Sequence, residues 1–464
     1  MLKTVAMGRL RAGCARIVVV AGLAVAGMPA ALQAETLADT LAAAYDHSGL
    51  LEQNRAVLRA ADEDVAQAVA LLRPVIDYTA RVGLTAGNVV QTTQSSASLE
   101  IAARLLLWDG GATRLRAEIQ KETVLSTRQG LISVEQTVLL NAVTAYMSVR
   151  EALEFVALRE NNVRLITQEL RAAEDRFEVG EVTRTDVALA ESRLAAARSL
   201  LASARGSLTQ SVATFQEAVG RRPGPLAAPK AAPKLPPNVS SALAIARRTH
   251  PQILQAQHDI TAAELTLARA NKALNPTLSA SGSVTFADGD QRTDQVGLTL
   301  SGPISQGGAL ASQIRQAQAR LDGQRANLHV IRHSIDAAVE IAYANLAVAA
   351  ASREASIRQI TAARVAFRGV REEATLGART TLDVLDAEQE LLDAQASLIS
   401  AEAQQTVAAY TVLSAIGMLT VSDLGLHVQQ YDPAAYYNLV KRAPQTISDQ
   451  GTALDRVLKS LGKN

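Results

Sequence analysis

Residues 376–388, LGARTTLDVLDAE, repeat an earlier stretch at 179–191, VGEVTRTDVALAE, and this duplication limits what the chain can fold into more than any other feature. Gly180 aligns with Gly377, Asp186 with Asp383 and Glu191 with Glu388, each pair 197 positions apart (377 − 180, 383 − 186 and 388 − 191). Both copies read alike. A glycine suits the left-handed residue just past a helix end. Threonine and other polar residues then turn the chain, with threonine an N-cap candidate. An aspartate in the first turn favours the positive end of the next helix. Each copy is therefore expected to be a tight helix–turn–helix tip.

The offset extends beyond the tips. Trp108-Asp109-Gly110-Gly111 precedes Ser305-Gln306-Gly307-Gly308 by 197 positions (305 − 108), and Leu72-Arg73-Pro74 precedes Leu274-Asn275-Pro276 by 202 (274 − 72). The change falls between Thr85 and Ser98, where turn-like residues cluster, so a difference in loop length accounts for it. The chain thus divides into a first repeat over 35–218 and a second over 239–417. Between them, 219–238 is expected to be an extended linker, because its six prolines exclude regular helix. A C-terminal tail, 418–464, has the Gly, Pro and polar content of a partly loose segment.

Each half reads helix, two strands, long helix, tip, long helix. Leu131, Val134, Val138, Ala142, Ala145 and Val149 follow steps of three and four, as do Leu328, Ile331, Ile335, Val339, Ala342 and Leu346. That spacing lies between a supercoiled seam and a straight helix. Residues 111–177 contain no proline and would reach about 100 Å at ~1.5 Å per residue. A tunnel of such rods has a use for that length; an isolated domain does not. His250-Pro251 marks a helix break.

The strands alternate. Ile76, Tyr78, Ala80, Val82 and Leu84 interleave with Asp77, Thr79, Arg81 and Gly83, and Leu99, Ile101, Ala103, Leu105 and Leu107 with Glu100, Ala102, Arg104 and Leu106. Leu278, Ala280, Gly282, Val284 and Phe286 continue the pattern in the second half, followed by Val296, Leu298 and Leu300. Strands of ~10 residues with one apolar face suit a membrane barrel, and they equally suit a half-buried soluble sheet. The signal segment and the attached rods favour the membrane. Four strands cannot enclose a lumen, and open edges are not tolerated in lipid, so several chains would have to share one barrel.

Other features narrow the function. Lys3, Arg9, Arg11 and Arg16 precede an apolar core at 17–26, and Leu32-Gln33-Ala34 is a cleavage site, so residues 1–34 read as a secretory signal peptide. Cys14, the sole cysteine, lies before that core, which argues against acylation and leaves no cysteine in 35–464. A net charge of +1 carries no footprint for nucleic acid. Aromatic residues make up only 3%, and the Ala- and Leu-rich remainder suits long helices. Beyond the signal peptide no apolar run approaches helical spanning length. His329 and His333 have i, i+4 spacing but no third ligand, so no metal or other cofactor is expected. The Gly-Gly pairs at 110–111 and 307–308 are strand-to-helix corners without the Lys-Ser/Thr of a phosphate loop. No nucleophile accompanies the acidic pairs, so no enzyme is expected. A soluble periplasmic coiled-coil scaffold is the reading of another class.

The order of elements, the segment Gly297-Leu298-Thr299-Leu300-Ser301-Gly302-Pro303-Ile304-Ser305-Gln306-Gly307-Gly308 and the two tips together resemble the TolC family of outer-membrane efflux and secretion channels, over 35–417. The resemblance implies a mainly α fold with a β-barrel portion: a long antiparallel coiled-coil tunnel in the periplasm plus four transmembrane strands per chain, twelve in a homotrimer. It implies a passive exit duct in the cell outer membrane, embedded in lipid and opened by a periplasmic adaptor (membrane fusion) protein and an inner-membrane transporter. Tyr431-Asp432-Pro433-Ala434-Ala435-Tyr436-Tyr437 is similar to members serving type I secretion with an ABC transporter. The alternative within the family is multidrug efflux with a proton-driven RND pump.

The resemblance also assigns residues. Asp383 and Asp386, at i and i+3 on one helical face, would form rings of carboxylates at the periplasmic entrance; Arg379 and Asp186 would latch neighbouring tips. Ala374 stands where the best-known members have a latch tyrosine, which implies fewer bonds in the closed state. Independently of the family, Asp186 and Asp383 also fit helix caps, whereas Asp386 aligns with Leu189 and does not repeat. Trp108, at a strand end, reads as a membrane-interface anchor or a packed corner aromatic.

Overall fold

A computed structural model describes residues 34–86, 93–229, 232–288, 291–445 and 448–460. The expected signal peptide, apart from Ala34, lies outside the described residues. The first half begins with α1 (Leu37–His47) and α2 (Gly49–Ala70), then β1 (Val75–Ala86) and β2 (Thr93–Trp108), then α3 (Ala112–Glu178) and α4 (Arg184–Val219). The second half repeats this with α5 (Val239–Thr249), α6 (Pro251–Lys272), β3 (Thr277–Ala287), β4 (Gln291–Ser301), α7 (Ala309–Thr375) and α8 (Thr381–Ala415). Corresponding helices match in length: α1 and α5 have 11 residues each, α2 and α6 have 22, α3 and α7 have 67.

Two helices, not one, precede the strands of each half. The second half breaks at His250, with Pro251 at the first position of α6. The first half breaks without proline: Ser48 turns extended and its hydroxyl accepts from Leu51 N (3.2 Å), capping α2. The strands also run longer than the alternation suggested, 12 and 16 residues in β1 and β2 and 11 in β3 and β4.

The strands form one antiparallel sheet in the order β1-β2-β3-β4. Register places Tyr78 opposite Ile101, Ile101 opposite Val284, and Gly282 opposite Val296, so the apolar residues of all four strands share one face. Val82 and Val296 are 85% and 91% exposed there. Thr79, Glu100, Ser283 and Gln295 occupy the other face, where Arg81 pairs with Glu100 (3.6 Å). Near the β3–β4 turn the apolar face ends in an Arg292–Asp294 ion pair (2.9 Å), with Arg292 over the Phe286 ring. The exposed apolar band thus has a polar limit at the end farthest from the helices.

The rods α3 and α7 are each about 100 Å long, and the core lies at their middle rather than along them. Tyr146 of α3 and Ile335 and Val339 of α7 meet Leu41, Phe215, Ile253, Ile416 and Leu419 in one buried cluster. The segment between the halves wraps this belt. The buried Tyr146 hydroxyl donates to the Ala227 carbonyl (2.6 Å), and Glu35 takes a bidentate pair from Arg221 (2.6 and 3.0 Å). Toward the tips only narrow seams remain, Ile166 with Leu194 and Ala197, and Ile360 with Ala363 and Ala394. Few buried contacts make the tip ends the part of the rods that opens at lowest cost.

Two sequence expectations change. One 18-residue window of α7 has a mean hydropathy of 1.3, enough by length and composition to cross a membrane. It draws its apolarity from the alanine-rich residues 341–351, and alanine serves close approach of helices as readily as contact with lipid. The tail is also more ordered than its composition suggested, with α9 (Pro433–Val440) and α10 (Asp449–Ser460). Its tyrosines are the reason. Tyr436 donates to Glu63 (2.6 Å), and Arg55 lies 5.1 and 5.2 Å from the rings of Tyr45 and Tyr431. Asp62, wholly buried in the adjacent seam of α2, has its carboxyl pushed up to about 6 by burial, opposed by Arg128.

Candidate functional site at the hairpin tips

Each tip is two linked capping motifs. After α3, Gly180 (φ +80°) donates to Phe177 O (3.0 Å) and Glu181 N to Arg176 O (2.9 Å). After α7, Gly377 (φ +76°) donates to Ala374 O (3.1 Å) and Ala378 N to Glu373 O (2.9 Å). This is the Schellman pattern, and the left-handed backbone at its centre is what calls for glycine.

The next helix then starts with a capping box. Thr183 N and Oγ1 donate to Asp186 Oδ2 (2.9 and 2.7 Å), and Asp186 N donates back to Thr183 Oγ1 (3.3 Å). Thr380 and Asp383 repeat this at 2.9, 2.8 and 3.2 Å. The Thr183 hydroxyl and amide hold the Asp186 carboxyl below its ordinary range; the Thr380 amide and hydroxyl do the same for Asp383. Both aspartates are therefore charged caps within their own chain.

The other candidates have partners that sequence reasoning did not anticipate. Arg379 donates to Glu373 (2.8 Å) across the turn, and among the described residues it is not paired with Asp186. Asp386 is exposed and bridges to Arg193 of α4 (2.8 Å), tying the second hairpin to the first. His329 and His333 are exposed on α7, and no cluster of metal-ligating side chains occurs among the described residues.

Trp108 reaches its position through a bulge. Leu106 opposes Ser279, but Trp108 opposes Leu278, so Leu107 is an extra residue. Without it, alternation would put Trp108 on the polar face. With it, Trp108 joins Leu278 and Leu300 on the apolar face at the helix-proximal end, 49% exposed. Asp109 then accepts from Gly111 N (2.9 Å) and Thr113 N (2.6 Å), starting α3.

Glu388 is the residue that sequence reasoning missed. It is 4% exposed between α3 and α8, and Asn162 Nδ2 donates to its Oε1 (3.0 Å). Its Oε2 has no hydrogen-bond partner among the described residues. Burial pushes the carboxyl up to about 7, reinforced by Glu169 and opposed by Asn162 and Arg371. The available signal was periodicity: Glu388 lies three residues after buried Leu385 and four before buried Leu392, a seam position occupied by an acid.

The geometry is matched by known proteins. The family described as Outer membrane efflux protein matches residues 41–221 and 242–418. The chain is 36% identical to the outer membrane efflux protein BepC of Brucella suis over 88% of this chain and 91% of that protein. It is 26% identical to the outer membrane protein TolC of Escherichia coli over 87% of this chain and 86% of that protein. The Campylobacter jejuni CmeC outer membrane channel superposes with a TM-score of 0.74 at 15% identity, over 88% of this chain and 90% of that one. A four-stranded sheet with one apolar face, rods about 100 Å long and a family match over both halves lead to one assignment: the chain belongs to the outer membrane efflux protein family.

Proposed function

We propose that this chain is the exit duct of a tripartite export system, working as a homotrimer whose twelve strands close one barrel. The observation that carries the reading is the sheet: β1 and β4 are its outer strands, and its apolar face is exposed. Such edges need pairing before they can enter lipid. The polar face then lines a lumen, and Trp108 anchors the helix-proximal rim of the apolar band.

The duct is passive. Energy comes from an inner-membrane transporter, and a periplasmic adaptor that binds the open tips better than the closed ones shifts the equilibrium toward opening. In the closed state Asp383 and Asp386 of three copies converge as carboxylate rings that hold cations. Arg379 and Asp186 latch adjacent tips, with Arg379 exchanging Glu373 for a neighbouring chain. The 431–437 ending favours type I secretion with an ABC transporter. Multidrug efflux with an RND pump is the second reading, supported by the likeness to BepC, whose name is outer membrane efflux protein.

Single-channel recording in planar bilayers tests the entrance. Asp383→Ala with Asp386→Ala is expected to weaken block by divalent cations at least tenfold, and Arg379→Ser to raise resting conductance. Records unchanged from the parent would remove both roles.

A further inference from the structure

The Asn162–Glu388 bond joins the two halves of one chain, α3 of the first to α8 of the second. The repeat allows its counterpart to be located. At an offset of 197, α3 corresponds to α7 and α8 to α4. Asn162 then corresponds to Gln359 (359 − 162) and Glu388 to Glu191 (388 − 191). The types persist, an amide on the long rod and a glutamate on the short helix. Two charged neighbours do not keep theirs: Asp386 answers to Leu189 and Arg193 to Glu390. Heights agree as well. Asn162 and Gln359 each lie 16 residues before their helix ends (178 − 162 and 375 − 359), and Glu388 and Glu191 each lie 7 after their starts (388 − 381 and 191 − 184).

Within the chain the counterpart pair is unmade. Gln359 and Glu191 are both exposed. Two other junctions between the halves are missing their counterparts in the same way. Inside the chain α6 packs on α3 and β2 pairs with β3. The corresponding partners, α2 with α7 and β1 with β4, belong to opposite ends of the sheet and of the helical layer. The face of α7 that carries Gln359 also carries exposed Ile341 and Val348, 18 and 11 residues before it.

We propose that a second copy of this chain covers that face, and that the Gln359 side-chain amide donates to Glu191 of that copy. This rests on the homotrimer reading. Three internal Asn162–Glu388 bonds and three Gln359–Glu191 bonds between copies then alternate in one ring near the tips. The contact desolvates Glu191 only on assembly, so the ring closes between copies through a bond that no single chain contains.

Residues 35–464 contain no cysteine, so introduced thiols react alone. Gln359→Cys and Glu191→Cys are placed in two differently tagged full-length chains, co-expressed, and treated in outer membranes with a short bifunctional thiol reagent. The expected product is a covalent dimer carrying both tags, and a covalent trimer when both cysteines are in every chain. Asn162→Cys with Glu388→Cys is expected to bridge within one chain and leave its mass single. Native mass in detergent is measured alongside. A native trimer that yields only single-chain bands at 191 and 359 overturns the pair and leaves the trimer standing. A native monomer overturns the trimer and the pair together.

Discussion

The two tips share a backbone and differ in what surrounds it. Gly180 and Gly377 have φ values of +80° and +76°, and the capping boxes of Thr183–Asp186 and Thr380–Asp383 agree within about 0.1 Å in each bond. Eight residues into the motif the likeness ends: Glu191 is exposed, whereas Glu388 is buried against Asn162. Local motifs recur because each is completed by its neighbours in sequence. Burial does not recur, because it depends on which helix lies alongside: α3 covers α8, while among the described residues α7 does not cover α4 in that way.

The largest expected effect tests that difference in burial. Glu388 has its folded value raised to about 7 from an ordinary 4.5, so the protonated form is the one that fits the fold. The associated stability is fully present below pH 4.5 and is lost as pH rises through about 7, amounting to about 3 kcal/mol at ~1.4 kcal/mol per unit. Helical melting of the detergent-solubilised channel is expected to fall over that window, and Glu388→Gln to flatten the fall. A variant with the parent's slope would show that the burial difference between the tips carries no energy.

The backbone comes next. Gly180→Val and Gly377→Val each force a β-branched residue into the left-handed region at about 1–2 kcal/mol. Neither added Cβ meets an atom within 4 Å, so the cost is conformational and is expected to be equal at the two tips. Unequal melting losses would break the likeness and show that assembly loads one tip more than the other.

The smallest effect sharpens the comparison. Thr183→Ala and Thr380→Ala each remove a cap hydroxyl, at about 1 kcal/mol. Loss of that donor lets the Asp383 carboxyl rise toward its ordinary range. In Thr380→Ala the acid limb of cation block is therefore expected at higher pH, read from single-channel titrations. In Thr183→Ala block is expected to stay as in the parent, because Asp186 is placed in the latch and not in the cation rings.

Much of this architecture is legible in the chain. The matched offsets, Gly180 and Gly377, the alternating strands and the Pro251 break all follow from rules acting over a few residues. The break at Ser48 was not read, because a serine cap carries a weaker signal than proline. Composition marks the tail as partly loose because it omits the cluster that holds it, Tyr431 and Tyr436 against Arg55 and Glu63.

By itself the sequence determined the repeat, the tip turns, the caps and which residues share a strand face, since backbone angles and hydrogen bonds between near neighbours decide these. Only the tertiary structure decided that Glu388 is enclosed while Glu191 is open, that Asp386 meets Arg193, and that an extra Leu107 turns Trp108 to the apolar face. Each depends on a helix or strand brought in from far along the chain. Solvent exclusion and register are properties of that pairing, and neither half of a repeat specifies them alone.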